Sequence, residues 1–328
     1  MESADWPTVY PHQHFNHVQD AEDIEKAVKG KGCDEQAVID ILCNRTFKQR
    51  QAIAQAYEQR FRKELISVLK SETSGDFEDV IVTLMQSPAL NDAIMLHDAV
   101  KGKDHTLLNT IAFTRTNEQL HQIQEVYRSK FNTDAVEDVR KVTNGAYEQL
   151  LVACLSGGRD QEHAERGYDV LADARALFES GPKRPGTNMG TYVGIFATRS
   201  FVHLRKVFQR FQMVAKMTIE QAVIDEMKGD DEKGFLALIK VIKNKAEFFC
   251  DQLVGATKGL GTNEKKLNFV IVSRSEVDLG RIADEYQRLH KQSLEKLIEA
   301  ETSGDYKKAL LALARGNAIK IPKDFRKQ

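Results

Sequence analysis

The chain has 328 residues, of which 41% are hydrophobic, and its 47 Lys and Arg residues nearly balance 48 Asp and Glu residues to give a net charge of -1. This balance excludes a strong long-range attraction to nucleic acid or to an anionic membrane. Apolar runs such as VIVTLM and LLVACL stop at six residues, which excludes a transmembrane helix of about 20 residues. The polar N-terminus lacks the apolar region of a signal peptide. Four cysteines without a CxxC pair indicate reduced thiols, at Cys33, Cys43, Cys154 and Cys250. We therefore expect a cytosolic protein.

A glycine loop recurs along the chain. It reads KGKGCDEQAV at 29–38, GPKRPGTNMG at 181–190 and KGLGTNEKKL at 258–267. Each copy precedes an Arg-Ser/Thr pair, with an aromatic residue twelve positions after the Arg and a glycine thirteen positions before it. The pairs stand at Arg45-Thr46, Arg115-Thr116, Arg199-Ser200 and Arg274-Ser275. This common register predicts four repeats of about 70 residues, with a longer connector before the third.

Each repeat has the apolar pattern of helices. In the last copy Leu267, Val270 and Ile271 lie at i, i+3 and i+4, and a second stripe follows from Leu279 to Tyr286. The spacing of Thr46 with Gln49, of Thr116 with Gln119 and of Ser275 with Asp278 is that of a capping box or a close relative. We therefore expect a helix to begin just after each repeated Arg. Another helix runs from Ser293 to about Glu301 before TSGD interrupts it, so the pattern predicts about five helices per repeat and an all-α fold.

An acidic position accompanies the intact loops. Twenty-seven residues after the repeated arginines stand Glu72, Val142, Glu226 and Glu301. Thirty-eight residues separate each of the three glutamates from the position after the second loop glycine, which is long enough for two helices to run out and back. Several backbone carbonyls and one carboxylate form a set of hard oxygen ligands that suits Ca²⁺ better than Mg²⁺.

The second repeat is an internal control for this interpretation. It has Val100 where a first loop glycine is expected and Val142 at the acid position. Loop and acid are absent together, as expected if they hold the same ion. The glutamates also lie at helix ends, where a carboxylate faces the negative end of the helix dipole and is unfavourable without a cation.

These repeats, with K-G-x-G-T, 38 residues and an acid, resemble the annexin family over residues 20 to about 318. The resemblance implies a curved disc of four five-helix repeats, with calcium loops on its convex face. It also implies calcium-dependent binding to acidic phospholipids such as phosphatidylserine and a peripheral role in membrane organisation or trafficking. The ligands carried over from the family are Val28, Gly30, Gly32 and Glu72 in repeat 1, Gly181, Arg184, Gly186 and Glu226 in repeat 3, and Thr257, Gly259, Gly261 and Glu301 in repeat 4.

The predicted organisation has six parts. They are an N-terminal tail at 1–19, repeat 1 at 20–88, repeat 2 with a degenerate site at 89–157, connector and repeat 3 at 158–245, repeat 4 at 246–318 and a C-terminal tail at 319–328. The resemblance places variation in partners in the N-terminal tail, where Trp6 and Tyr10 either anchor a protein partner or pack on the repeats.

Several alternatives stay open at this stage. The chain lacks GxxxxGK[ST], HExxH and GxSxG, so we expect no enzyme. A helical scaffold that binds protein partners without calcium is the alternative function. His12, His14 and His17 form either a metal site or part of a flexible tail. Cys33 is either a tolerated small residue at a threonine position or part of a redox-sensitive calcium loop. Asp92 and Arg115 match central charged positions of the family that bear on channel activity. No nucleic-acid partner is expected.

Overall fold

The computed structural model describes residues 6–30, 32–161, 167–181, 189–259 and 261–318. Every regular element in these ranges is a helix, which confirms the predicted all-α class. The chain divides into two compact units. Unit 1 comprises the described residues of Met1–Pro88 and Phe249–Gln328, which carry repeats 1 and 4, and unit 2 comprises those of Ala89–Phe248, which carry repeats 2 and 3.

The helices fall into groups of five. Repeat 1 contains α1 His17–Val28, α2 Glu35–Leu42, α3 Phe47–Phe61, α4 Leu65–Glu72 and α5 Gly75–Met85. Repeat 2 contains α6 Pro88–Gly102, α7 His105–Thr114, α8 Asn117–Phe131, α9 Ala135–Arg140 and α10 Gly145–Leu155. Repeat 3 contains α11 Val170–Ser180, α12 Met189–Thr198, α13 Phe201–Ala215, α14 Ile219–Glu226 and the first part of α15 Gly229–Thr257. Repeat 4 contains the rest of α15, α16 Glu264–Ser275, α17 Leu279–His290, α18 Leu294–Glu301 and α19 Gly304–Arg315.

Helix α15 serves two repeats because it is interrupted. Asn244 has φ -155° and ψ 91°, which are not helical angles, and it separates the fifth helix of repeat 3 from the first helix of repeat 4. The prediction of five helices per repeat is confirmed. Of the helices in the described part of the chain, none combines the length and the apolarity required to cross a bilayer.

The repeated aromatic residues belong to the core. Their side chains are at most 4% exposed, at Tyr57, Tyr127, Phe211 and Tyr286. Each lies on the third or equivalent helix of its repeat, whose C-terminal cap has a positive φ in all four copies. The aromatic residue twelve positions after each repeated Arg therefore marks a buried helix face that the four repeats share.

The predicted capping boxes are confirmed in repeats 1 and 2, and in repeat 3 a helix begins just after the repeated Arg, as predicted. Thr46 and Thr116 form capping boxes with Gln49 and Gln119, and Ser200 accepts a hydrogen bond from the His203 amide. For the fourth repeat the prediction was wrong, since α16 continues to Ser275 and α17 begins only at Leu279.

The exception in repeat 4 has a physical cause. The repeated arginines of repeats 1 to 3 pair with an aspartate of the first helix, as Asp20–Arg45, Asp92–Arg115 and Asp173–Arg199. Phe249 occupies that aspartate's position in repeat 4. Arg274 lies over the Phe249 ring at 4.7 Å and donates from Nε to the Asp278 carboxylate at 2.6 Å. Asp278 is therefore held by the arginine rather than by a capping bond. The Asp92–Arg115 pair is likewise one copy of a repeated structural contact.

The N-terminal segment 6–12 is bound to unit 1. The amides of Thr8 and Val9 donate to the Ser275 carbonyl at 2.9 Å, and the Trp6 carbonyl accepts from Gly280 at 2.9 Å. Gln49 binds both the amide and the carbonyl of His12. A protein partner that recruited Trp6 would compete with these contacts. Within the described residues no cluster of three or more His, Cys, Asp and Glu side chains is arranged to hold a metal, and this includes the three tail histidines.

Candidate functional site

The glycine loop of repeat 1 follows the end of α1. Helix α1 ends at Val28, and Gly30 and Gly32 have φ values of 145° and 103°. Side chains are strained at these angles, so the positions require glycine. No atom lies within 4 Å of a Cβ built on either glycine, so the space above the loop is open. Asp34 closes the loop by donating from its amide to the Ala27 carbonyl at 2.8 Å.

The loop of repeat 4 has the same backbone. Helix α15 ends at Thr257, and Gly259 and Gly261 have φ values of 123° and 101° with the same open space around them. The Asn263 amide donates to the Ala256 carbonyl at 2.7 Å, which matches the closure in repeat 1. The two loops of unit 1 therefore present the same backbone to solvent.

A carboxylate returns to the loop in repeat 4. Glu301 is the last residue of α18, and its Oε2 accepts a hydrogen bond from Thr262 Oγ1 at 2.7 Å. Thr262 immediately follows the second loop glycine. The distance places the acid beside the loop from which 38 residues separate it in the sequence.

In repeat 1 the corresponding acid also lies near its loop. Glu72 ends α4, and Cys33 stands at the position of Thr262. Burial, followed by the charges of Glu35 and Glu72, raises the pKa of the Cys33 thiol to about 11. A thiol that is protonated at neutral pH is a poor nucleophile, which disfavours the redox-sensitive loop suggested by the sequence.

The second repeat has lost the loop backbone. Helix α6 continues to Gly102, and Lys103 has the positive φ instead, at 50°. The Asp104 amide donates to the Ala99 carbonyl at 2.8 Å, and the Lys103 amide donates to the Val100 carbonyl at 3.2 Å. The Ala99 bond corresponds to the closing bonds at Ala27 and Ala256, whereas the Val100 carbonyl, at the position of Val28, accepts the Lys103 amide of the shortened turn. The absence of an acid at Val142 is accompanied by this shortened turn.

The third site is described only at its edges. Gly181 is the C-cap of α11 and Glu226 is the last residue of α14, while Arg184 and Gly186 lie outside the described residues. A Cβ on Gly181 would meet the Tyr192 hydroxyl at 2.3 Å. Burial, followed by the Glu226 charge, raises the pKa of Tyr192. Gly181 and Glu226 therefore both lie near the same tyrosine.

The donor set fits a calcium ion. Each loop of unit 1 offers backbone carbonyls and one carboxylate, which are hard oxygen donors, and the Cys33 thiol of repeat 1 is protonated at neutral pH because its pKa is raised to about 11. One carboxylate is too few to form a cluster of acidic side chains, which agrees with the lack of such a cluster among the described residues. A site of this kind leaves coordination positions for ligands from outside the protein.

The sequence prediction missed acidic residues beside both loops. Asp305 lines a groove with Glu35 and Glu72, and Asp76 lines a second groove with Gly261 and Thr262. The only sign in the sequence is that ETSGD occurs both at 72–76 and at 301–305. The identity of the two segments does not reveal that each aspartate lies at the other repeat's loop.

This chain folds into four five-helix repeats and carries open glycine loops beside a carboxylate. These features define it as an all-α helical-repeat protein with candidate calcium loops. The annexin family model matches this chain four times, at residues 19–84, 91–154, 172–238 and 248–313. The chain belongs to the annexin family, which is known for calcium-dependent binding to phospholipids and whose members are generally binding proteins rather than enzymes.

Individual relatives agree with this assignment. Annexin A11 of Oryctolagus cuniculus is 39% identical over 305 residues, and the match covers 92% of this chain but only 61% of annexin A11. Annexin A1 of Bos taurus is 40% identical over 307 residues, covering 93% of this chain and 89% of annexin A1. The solved structure of annexin III has a TM-score of 0.91 at 33% identity and covers 96% and 98% of the two chains. Calcium-bound annexin (Sm)1 has a TM-score of 0.85 at 27% identity, covering 94% and 93%.

Proposed function

We propose that this protein binds acidic phospholipid surfaces such as phosphatidylserine when calcium is present, and acts peripherally in membrane organisation or trafficking. The observation that carries the proposal is the pairing of an open glycine loop with a returning carboxylate, as in the 2.7 Å bond between Thr262 and Glu301. The existence of a calcium-bound annexin structure among the relatives supports the choice of ion.

The proposed ligands are those that the family pattern assigns. They are Val28, Gly30, Gly32 and Glu72, then Gly181, Arg184, Gly186 and Glu226, and finally Thr257, Gly259, Gly261 and Glu301. Carbonyl oxygens of the loop residues bind on one side, and the glutamate binds from the end of the fourth helix. The geometry of repeats 1 and 4 supports this arrangement most directly, because all of their proposed ligands lie in the described part of the chain.

The physical argument rests on what each site lacks. One carboxylate and a few neutral carbonyls do not satisfy an ion that takes 6 to 8 oxygen ligands. Bound calcium then accepts phosphate or carboxylate oxygens of a lipid headgroup and so bridges a nearly neutral protein to an anionic surface. Because lipid completes the site, calcium and lipid must raise each other's affinity by the same factor. Several sites that engage one surface add avidity.

Vesicle co-sedimentation tests the proposal. The full chain is mixed with phosphatidylserine/phosphatidylcholine or with pure phosphatidylcholine vesicles across a calcium titration, and chelator is then added. We expect pelleting only with acidic lipid and calcium, with release by chelator. The Glu72→Gln/Glu301→Gln variant is expected to need about tenfold more calcium, because two carboxylate ligands are lost.

A matched control separates ligand loss from charge loss. Glu118 and Glu125 are exposed on α8 of repeat 2, and Glu118→Gln/Glu125→Gln changes the net charge by the same amount. This control is expected to bind like the wild-type protein. If the wild-type protein does not pellet at millimolar calcium, or pellets equally well with chelator, the proposal is wrong. Chelator-insensitive capture of protein partners would then favour the calcium-independent scaffold.

A further inference from the structure

In unit 1, helices of repeat 1 pack against helices of repeat 4. Helix α5 of repeat 1 packs against α16 of repeat 4, and α19 of repeat 4 packs against α2 of repeat 1. Helices α5 and α19 also pack against each other. The start of each fifth helix is thereby brought to the glycine loop of the other repeat.

Two aspartates at the starts of the fifth helices line grooves that contain residues of both repeats. Asp305 is four residues after Glu301, yet it lines the groove that holds Glu35 and Glu72 of repeat 1. Asp76 is four residues after Glu72, yet it lines the groove with Thr262 and Glu264 of repeat 4. Of these two grooves, Asp305 lines the one with Glu72 of the opposite repeat, and Asp76 lines both, so each aspartate reaches the candidate site of the opposite repeat.

The charged groups around Asp76 and Asp305 include several other carboxylates. Burial, followed by the charges of Glu264 and Asp79, raises the pKa of Asp76, as expected for a carboxyl group near other carboxylates. The compensating cations are exposed, since Lys308 contacts Asp305 at 2.8 Å from its own helix and Lys265 lies along the second groove.

Unit 2 has different residues at the positions of these acidic side chains. His105 takes the place of Glu35 and Glu264 in repeat 2, where the glycine loop is lost, and its Nδ1 lies 3.4 Å from the Asp230 carboxylate of repeat 3. Ala146 takes the place of the aspartate in repeat 2 itself. Facing carboxylates thus accompany the open loops, and a histidine or an alanine accompanies the closed one.

We propose that Asp76 and Asp305 raise the calcium affinity of the glycine loop on the opposite repeat, so that each candidate site of unit 1 depends on charge supplied by its neighbour. This inference rests on the proposed function, because it assumes that the two loops bind calcium. Neither aspartate is a ligand. Each acts through the negative potential that it adds beside the loop, and each favours a divalent cation over the unoccupied state.

A double-mutant cycle tests the crossing. Asp305→Asn is made in the wild-type, Glu301→Gln and Glu72→Gln backgrounds, and half-saturating calcium is measured by co-sedimentation with phosphatidylserine/phosphatidylcholine vesicles. We expect Asp305→Asn to raise half-saturating calcium about two- to fivefold in the wild-type and Glu301→Gln backgrounds, and to do little in the Glu72→Gln background. Asp76→Asn should give the reverse pattern, losing its effect when Glu301 is changed.

Controls make each outcome decisive. Asp230→Asn removes an equivalent aspartate in unit 2 beside the closed loop and is expected to leave half-saturating calcium unchanged. Asp305→Glu keeps the charge and is expected to bind like the wild-type protein, and circular dichroism checks that each variant is folded. Should Asp305→Asn lose the Lys308 contact and unfold, Asp76→Asn alone decides, since no ion pair holds Asp76 among the described residues.

An Asp305→Asn effect that vanishes with Glu301 rather than with Glu72 would overturn the inference, because the aspartate would then serve its own repeat. Equal binding by all the aspartate variants and the wild-type protein would overturn it as well. Failure of the wild-type protein to bind vesicles at any calcium concentration would instead contradict the proposed function.

Discussion

Units 1 and 2 are built from the same helical repeat but differ in the conformation of the loops and in the charges beside them. In unit 1 both described loops are open, with glycines at positive φ and a carboxylate returning to them. In unit 2 the loop of repeat 2 is shorter, its Val100 carbonyl accepts the Lys103 amide, and His105 faces the carboxylate of Asp230. Under the proposed function, the open and the shortened loops would therefore differ in calcium binding through both their backbone and their surrounding charge. The helical scaffold is the same in both units.

The units also differ in how the repeated arginines are held. Both arginines of unit 2 pair with an aspartate of the first helix of their repeat, whereas in unit 1 only Arg45 does so. Arg274 relies on Asp278 and on the Phe249 ring. Repeat 1 of unit 1 has a further buried arginine, Arg50. The other three repeats have a leucine at the equivalent position, at Leu120, Leu204 and Leu279.

We expect the largest loss of stability from removing the contacts of the Arg50 side chain. Its guanidinium donates to the Leu84 carbonyl at 2.7 Å and to Glu276 at 2.6 Å, and the side chain is 3% exposed. Arg50→Leu installs the residue of the other repeats but removes the Arg50 donor from the Leu84 carbonyl and leaves Glu276 with the Phe47 amide alone. We expect a loss of about 3 kcal/mol in the free energy of unfolding.

Urea unfolding followed by two probes measures this effect and locates it. Trp6 is the only tryptophan of the chain and lies in unit 1, so its fluorescence reports on that unit while circular dichroism reports on all helices. Arg60→Leu in the same helix is the control, because its ion pair with Glu22 is exposed and is expected to contribute less than about 1 kcal/mol. Equal stability of Arg50→Leu and the control would mean that Arg50 does not hold repeats 1 and 4 together.

The next effect concerns the arginine pairing of unit 2 and depends on pH. Asp173 is buried, which by itself raises its pKa, but hydrogen bonds from Arg199 at 2.8 Å and His203 at 2.9 Å outweigh burial and lower the pKa below its ordinary value of 3.8. A depressed pKa stabilises the fold fully above the unfolded value and loses that contribution as pH falls through the folded value. We expect Asp173→Asn to cost about 2 kcal/mol at pH 7 and progressively less below about pH 4.

Denaturant titrations at several pH values between 7 and 3 measure the difference between Asp173→Asn and wild-type protein. The exposed Asp284 provides the control, and Asp284→Asn is expected to give no pH-dependent difference. A penalty for Asp173→Asn that stayed constant down to pH 3 would show that the carboxylate's charge is not what stabilises unit 2.

Much of this organisation follows from the sequence because it depends on local patterns. The register of Arg, glycine and aromatic residues predicts the repeats, and the spacing from loop to acid predicts that Glu301 returns to Thr262. Both features lie within one repeat, where helix lengths fix how far the chain travels before it turns back.

The features that escaped prediction depend on contacts between repeats. Whether Asp305 serves its own loop or that of repeat 1 depends on which faces of α19 and α2 pack together, and a helical period does not specify the partner of a face. The start of α17 was missed because the substitution of Phe249 for an aspartate moved Arg274 onto Asp278. Arg50 was visible in the sequence as an arginine at a leucine position, yet its partner Glu276 lies 226 residues away.

The smallest effect that we predict distinguishes the two loops of unit 1. Thr262 donates a hydrogen bond to Glu301, whereas Cys33 takes its place beside Glu72 and its sulfur is a weaker donor. Thr262 orients its carboxylate before calcium arrives. We expect Thr262→Val in a Glu72→Gln background to need about threefold more calcium for vesicle binding, and Cys33→Thr in a Glu301→Gln background to need about threefold less. Thr143→Val in repeat 2 controls for loss of a hydroxyl that bonds only locally, to the Val139 carbonyl at 2.7 Å. If Cys33→Thr gave no gain while Thr262→Val gave a loss, the two loops would differ in more than this hydroxyl group, and the orientation of Glu72 by other groups would have to account for the remainder.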